Sequence, residues 1–159
     1  MAELQLVVFQ IKPGGEESLQ EFGVPITQVQ EIIRLTTPTK IPNAPNFMEG
    51  IINLRGKVVP VIDLKKRFNV PVAKYNEDTR IIVVEISGQT VGIVVDAVSE
   101  VLRLAEEAIE PPPSFIAGIA ADYLTGVGKI SERLLILLDL DKIFTIGEKK
   151  ELLQVGQAG

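Results

Sequence analysis

VVPVIDLKKRF, Val58 to Phe68, is written almost a second time as LILLDLDKIF, Leu135 to Phe144. Asp63 falls on Asp139, Leu64 on Leu140, Lys66 on Lys142 and Phe68 on Phe144, at a spacing of 139 − 63 = 76 residues. Upstream, FGVPITQVQEIIRL (Phe22 to Leu35) matches VGIVVDAVSEVLRL (Val91 to Leu104). There Gly23 falls on Gly92, Glu31 on Glu100 and Arg34 on Arg103, at 100 − 31 = 69 residues. Between the two blocks, FMEGI (Phe47 to Ile51) matches FIAGI (Phe115 to Ile119). Three matches in one order describe an internal duplication, so the chain holds two copies of one small unit. Function is then expected on the surfaces of two similar lobes and on the seam between them.

Working outward, the local signals are those of short strands. Leu4 to Ile11 is rich in β-branched residues and predicts a strand, broken by Pro13-Gly14-Gly15. Phe22 to Leu35 also fits a helical period, but its duplicate is dominated by Val and Ile, which favours two strands joined by a bend or hairpin in both copies. Thr37 to Asn46 carries Pro38, Pro42 and Pro45 and predicts a loop; Phe47 to Gly50 predicts one helical turn. Arg55-Gly56, between Ile51–Leu54 and Lys57–Ile62, predicts a tight hairpin. Asp63 and Asp139 each predict an acidic N-cap on a short helix, Leu64 to Phe68 and Leu140 to Phe144. Glu110 to Pro113 predicts a stiff extended linker. The fold class expected is mainly β, with two small closed barrels, one per copy. The expected division is residues 12–78 and 79–147, with strand exchange involving residues 1–11 and a frayed polar tail at 148–159.

Composition narrows the function. The 159 residues are 46% hydrophobic with a mean hydropathy of +0.26, which predicts a well-filled core and argues against disorder. A net charge of −5 disfavours nucleic acid as a partner, and Lys65, Lys66 and Arg67 read as a solvated helix face. There is no Cys and no His, so disulfides, thiol nucleophiles and the commonest general base and metal ligand are excluded. No stretch approaches a membrane span, and the start MAELQLVVFQIK lacks a basic leader; a cytoplasmic protein is the expectation.

No motif carries chemistry. Asp63 and Asp139 are pseudo-symmetric, but their contexts are Asp-Leu-Lys and Asp-Leu-Asp, not the Asp-Thr/Ser-Gly loops of a shared-proton dyad. Gly126-Val127-Gly128-Lys129 hints at a phosphate loop, but Tyr123 and Ile130 stand where Gly and Ser or Thr are needed, so it reads as a hairpin turn. No cofactor and no metal are expected. Binding remains. The Pro-rich loop displays Ile41, Pro42, Phe47 and Met48 as candidate contacts. Arg55, at a hairpin tip, has Ser131 as its counterpart, and it is a candidate for a salt bridge to an acid such as Glu31 or for an interface contact.

The string GIINLRGKVVPVIDLKKRF, with VGIVVDAVSEVLRL and the lead-in IPNAPNFMEGI, resembles the CheW family, the coupling proteins of bacterial chemotaxis. The resemblance runs from Leu4 to Phe144 and rests on its NLRG-x-V-x-P-V-x-D-L signature. It implies two SH3-like five-stranded barrels and a non-enzymatic scaffold. The implied partners are methyl-accepting chemotaxis receptors and the regulatory domain of the histidine kinase CheA. Carried over, the receptor groove would use Val29, Glu31, Ile33, Val98 and Val101 with Arg55 and Gly56, and the kinase-facing patch Ile41, Pro42, Phe47 and Met48. The hairpin Pro13 to Glu21, longer than Ser87-Gly88-Gln89 in the second half, departs from the repeat and is assigned no role. Two rivals are weighed. A CheW-like regulatory domain of a larger signalling protein is disfavoured by the starting Met1 and short tail. An enzyme using Asp, Lys or Ser in the seam is disfavoured by the lack of His and Cys.

Overall fold

A computed structural model describes residues 3–12, 20–67, 75–111, 115–116, 119–120 and 123–143. Thirteen strands are described: β1 (Glu3–Ile11), β2 (Gln20–Pro25), β3 (Val29–Arg34), β4 (Met48–Leu54), β5 (Lys57–Asp63), β6 (Arg80–Ile86), β7 (Gln89–Val95), β8 (Ala97–Ala105), β9 (Ile109–Glu110), β10 (Phe115–Ile116), β11 (Ile119–Ala120), β12 (Leu124–Ile130) and β13 (Arg133–Leu138). The one α-helix among the described residues is α1 (Leu64–Arg67). The two readings of Phe22 to Leu35 are resolved toward strands, as its β-branched duplicate required.

The strands form a five-stranded sheet, β3-β6-β7-β5-β4, and a six-stranded sheet, β8-β1-β2-β13-β12-β9, with β10 and β11 paired separately. The first sheet joins β3, β4 and β5 to β6 and β7, which follow residue 78; the second takes β1 and β2 from the start of the chain. Each copy therefore lends a hairpin arm to the other. The exchange is made by two parallel contacts at equivalent places, Val61 beside Gly92 and Leu137 beside Gly23. The mainly β, SH3-like architecture is present, but neither sheet closes: β3 and β4 end one, β8 and β9 the other.

The core has three parts that follow the duplication. Val59, Val61, Ile81 and Val94 fill the first lobe, and Leu6, Val8, Leu135 and Leu137 fill the second. Val59 and Leu135, and Val61 and Leu137, are the same positions at a spacing of 76 (135 − 59, 137 − 61). A larger cluster lies in the seam and draws Phe9, Phe22 and Ile136 from one sheet and Ile62, Ile82 and Ile93 from the other. The Phe9 and Phe22 rings stack there with centroids 5.8 Å apart. Alternation along each strand sends one face into its own lobe and the other into the seam, which is why β5 to β7 read as nearly continuous apolar runs.

Local expectations fare unevenly. Arg55-Gly56 forms a hairpin turn with both residues at positive φ, +52° and +84°, as a two-residue I′ turn requires. Asp63 caps α1 through its Oδ1, which accepts the Lys65 amide at 2.8 Å, and Asp139 accepts the Asp141 amide in the same way at 3.1 Å. Leu140 to Ile143, however, is a turn and a bend rather than a helix. The helical turn expected over Phe47 to Gly50 does not form: a turn at Asn46 and Phe47, closed by Met48 N–H on the Pro45 carbonyl, leads directly into β4, which already holds Met48 to Gly50. Gly126 to Lys129 lies within β12, not at a turn; its glycines admit close neighbours, since a Cβ on Gly128 would stand 2.5 Å from Leu104. Ile109–Glu110 pairs with β12 rather than running free. Phe68, Phe144, the 13–19 connection, Pro112–Pro113 and the tail lie outside the described residues.

Candidate interaction site

β3 and β8 are duplicates of each other and each is the edge strand of its sheet. Their inner ends pack on the seam core through Val29 and Val98, counterparts at 98 − 29 = 69. Further along, cross-strand neighbours fix which way each side chain faces. Val101 sits opposite Val7, and Ile32 opposite Ile82; both neighbours belong to the seam core. Ile32 and Val101 thus lie on the seam face of their sheets, but at the edge, and are 41% and 55% exposed. They too are counterparts, at 101 − 32 = 69. The result is an apolar margin on either side of the seam.

Ile33 takes a different direction from the one expected. It sits opposite Ile81 and packs into the first lobe's own core with Leu35 and Leu54. A register shift between Val29 and Glu31 turns the strand, so Val29 and Ile33 do not serve the same core despite sharing a period-2 phase. Ile32 was missed by sequence reasoning. The signal was available, because the duplication aligns it with Val101.

Arg55 reaches from the β4–β5 turn to Glu31 on β3. Its Nη1 donates to Oε2 at 2.7 Å and its Nη2 to Oε1 at 2.5 Å, a two-armed ion pair. The arginine is raised above its usual value, first by the hydrogen bond to Glu31 and then by its charge. Gly56 N–H donates to Asn53 Oδ1 at 2.8 Å, which closes the turn and fixes the base from which Arg55 projects. In the second copy the turn residue is Ser131 at φ +53°, and an arginine arrives two residues later. Arg133 grips Glu21 at 3.0 and 2.7 Å and lies 3.6 Å from Glu100, the counterpart of Glu31. The edge acid is kept in both halves and its arginine is supplied differently.

The Pro-rich loop is less exposed than its composition suggests. Pro42 is exposed and Ile41 half-buried against the seam core. Phe47 and Met48 are 7% and 8% exposed and belong to that core. Asp63 N–H donates to the Phe47 carbonyl at 3.0 Å, and the Arg67 guanidinium lies 5.5 Å from the Phe47 ring centre and 5.3 Å from that of Tyr123. These two side chains anchor the loop instead of presenting it. Beneath the loop is a groove of about 280 Å³, edged by Lys40, Asn43, Glu49 and Lys66.

The basic run after β5 is also not a solvated face. Lys65 is 1% exposed, and its Nζ meets Asp96 Oδ1 at 2.7 Å, while Asp96 Oδ2 accepts the Lys12 amide at 2.6 Å. Arg67 Nε donates to the Ile143 carbonyl, and Ser87 donates twice to Asp141 Oδ1. Polar contacts therefore stitch the two lobes around the seam core. Among the described residues there is no cluster of acids fit to hold a metal, and no helix is long and apolar enough to cross a membrane.

Two open SH3-like sheets with exchanged hairpins enclose an apolar seam, and the comparisons name the family in which this architecture occurs. A family model described as the CheW-like domain matches residues 5–148. The chain is 45% identical over 129 residues to the chemotaxis protein CheW of Klebsiella aerogenes, covering 81% of this chain and 78% of that one. It is 34% identical over 154 residues to the chemotaxis protein CheW of Treponema pallidum, covering 94% and 87%. The crystal structure of the scaffolding protein TtCheW from Thermoanaerobacter tengcongensis superposes with a TM-score of 0.79 at 40% identity, over 93% of this chain and 92% of that one. The chain belongs to the CheW-like family of chemotaxis scaffold proteins.

Proposed function

We propose that this chain is a cytoplasmic, non-enzymatic adaptor that couples the cytoplasmic tips of chemoreceptors to the histidine kinase CheA within membrane-associated arrays. The observation that carries the reading is the pair of exposed counterparts, Ile32 and Val101, on the seam faces of two edge strands. A receptor helix laid along the seam would cover both with its apolar face, in the manner of helix-in-groove recognition. Val29 and Val98 would form the floor; Glu31, which sits opposite Val83 on the lobe face of β3, would take part with Arg55 and Gly56 from the open edge of the sheet. Ile33 supports β3 from inside the lobe. On the other side, Pro42 and Ile41 would meet the kinase's regulatory domain, with Phe47 and Met48 holding their loop in place. Neither contact has to be tight, because many sites in an array act together. Coupling is then a shift in the kinase's state through differential contacts.

The test is co-sedimentation of this chain with a receptor cytoplasmic fragment, with and without the kinase. A ternary complex is expected. Binding of neither partner, or robust ATP turnover by the chain alone, would contradict the adaptor reading.

A further inference from the structure

Tyr75 has one phenolic proton and two carboxyl neighbours. Its Oη lies 2.5 Å from Asp63 Oδ2 and 2.9 Å from Glu49 Oε1. One O–H can donate to only one of these oxygens. With both carboxyls ionised, the remaining contact would set lone pair against lone pair in a partly buried site, where an unmet charge is costly. A second proton removes the conflict, because one carboxyl then donates to Tyr75 Oη and the phenol donates onward to the other.

The surroundings say where that proton sits. Glu49 Oε1 is 2.8 Å from the Lys66 ammonium, so its charge is countered. Asp63 is 0% exposed. Among the described residues no cation stands within ion-pair distance of it, since the Lys65 ammonium is taken by Asp96. Its Oδ1 is occupied by the Lys65 amide at 2.8 Å, leaving Oδ2 to face Tyr75. Burial pushes the Asp63 carboxyl above its usual range; the hydrogen bonds from Tyr75 and the Lys65 amide and the Lys65 charge pull the other way, and Glu49 adds to the rise.

We propose that Asp63 is held protonated and that it forms a two-proton chain, Asp63 O–H to Tyr75 Oη–H to Glu49, which latches the chain ahead of β6 onto the end of β5 and onto β4 and opens when Asp63 ionises. On ionisation the Asp63 proton leaves, the phenolic proton turns to Asp63, and Glu49 is left to Lys66 alone. Glu49 and Lys66 both edge the groove under the Pro-rich loop, so the state of a buried acid reaches the surface there. The device does not depend on the adaptor reading. Because the carboxyl is raised in the folded chain, its contribution is complete at low pH and is lost as pH rises through the raised value.

The test uses the full chain, with carbon NMR of the side-chain carboxyls and thermal melting across pH. The Asp63 carboxyl should titrate above the ordinary carboxylate range, and the Glu49 carboxyl should respond in the same step. Asp63→Asn keeps Oδ1 for the Lys65 amide and places an N–H where the O–H stands, so the fall in melting temperature across that step should vanish. Tyr75→Phe should abolish the Glu49 response. If Asp63→Asn fails to fold, the parent titration and Tyr75→Phe carry the test. An Asp63 carboxyl that titrates within or below the ordinary range overturns the proposal, as does an Asp63 step that is silent at Glu49.

Discussion

Arg55 and Glu31 face each other with both guanidinium arms on both carboxylate oxygens, at 2.7 and 2.5 Å, across the gap between a hairpin tip and an edge strand. The arginine side chain is 73% exposed, so solvent screens the pair and it adds little to stability. Its effect is geometric: it ties the β4–β5 turn to β3 and so links the two ends of the five-stranded sheet. Glu31→Arg and Arg55→Glu should each weaken receptor-fragment binding while leaving the melting temperature nearly unchanged. The double exchange restores the pair in reverse and should recover part of the binding. Sedimentation and thermal melting of the three variants check this.

Val101 is exposed and can accept a charge without disturbing the core. Val101→Arg should keep the fold and reduce receptor-fragment affinity at least about tenfold, the equivalent of about 1.4 kcal/mol. Ile32→Arg should do the same from the other side of the seam. Val29→Arg should also lose receptor binding, with some loss of stability, because Val29 packs on the seam core. Kinase binding should be largely retained in all three, as read by titration against the isolated regulatory domain.

Lys65 and Asp96 are a buried pair, with side chains 2% and 11% exposed. Removing one partner leaves an uncompensated charge, so Asp96→Ala should cost about 3–5 kcal/mol in denaturant unfolding. Replacing both by apolar residues of similar size should recover most of that loss. A small effect of Asp96→Ala would show that the lobes are not joined through this pair.

Gly50 has φ +144°, and a Cβ there would stand 2.2 Å from the Thr39 carbonyl oxygen. That carbonyl accepts the Ile51 amide in the bridge that pins the Pro-rich loop to β4. Gly50→Ala should therefore break the bridge and cost about 3 kcal/mol. Hydrogen exchange at the Thr39 and Ile51 amides would report the break directly.

Much of this arrangement was legible in the residues, because duplication checks itself. The ambiguous helix or strand at Phe22 to Leu35 was decided by its copy, and the same carboxylate-to-amide contact two residues on recurs at Asp63 and Asp139, although only Asp63 caps a helix. What escaped depends on contacts between distant segments. Ile33 and Ile32 exchange roles because of a register shift that no periodicity records. Lys65 is buried only because Asp96, 96 − 65 = 31 residues away, folds back to meet it. Phe47 and Met48 sit in a proline-rich setting that favours a loop, yet their side chains complete the seam core. The strand exchange is a pairing fact, and local propensity is silent about which copy a hairpin joins.

The most direct test of the central claim is quantitative co-sedimentation of the parent chain and Val101→Arg with a receptor cytoplasmic fragment and the kinase. The account predicts that the parent brings both partners into one pellet, and that Val101→Arg still binds the kinase but no longer carries it to the receptor. Equal recruitment by parent and variant would contradict the placement of the receptor helix on the seam.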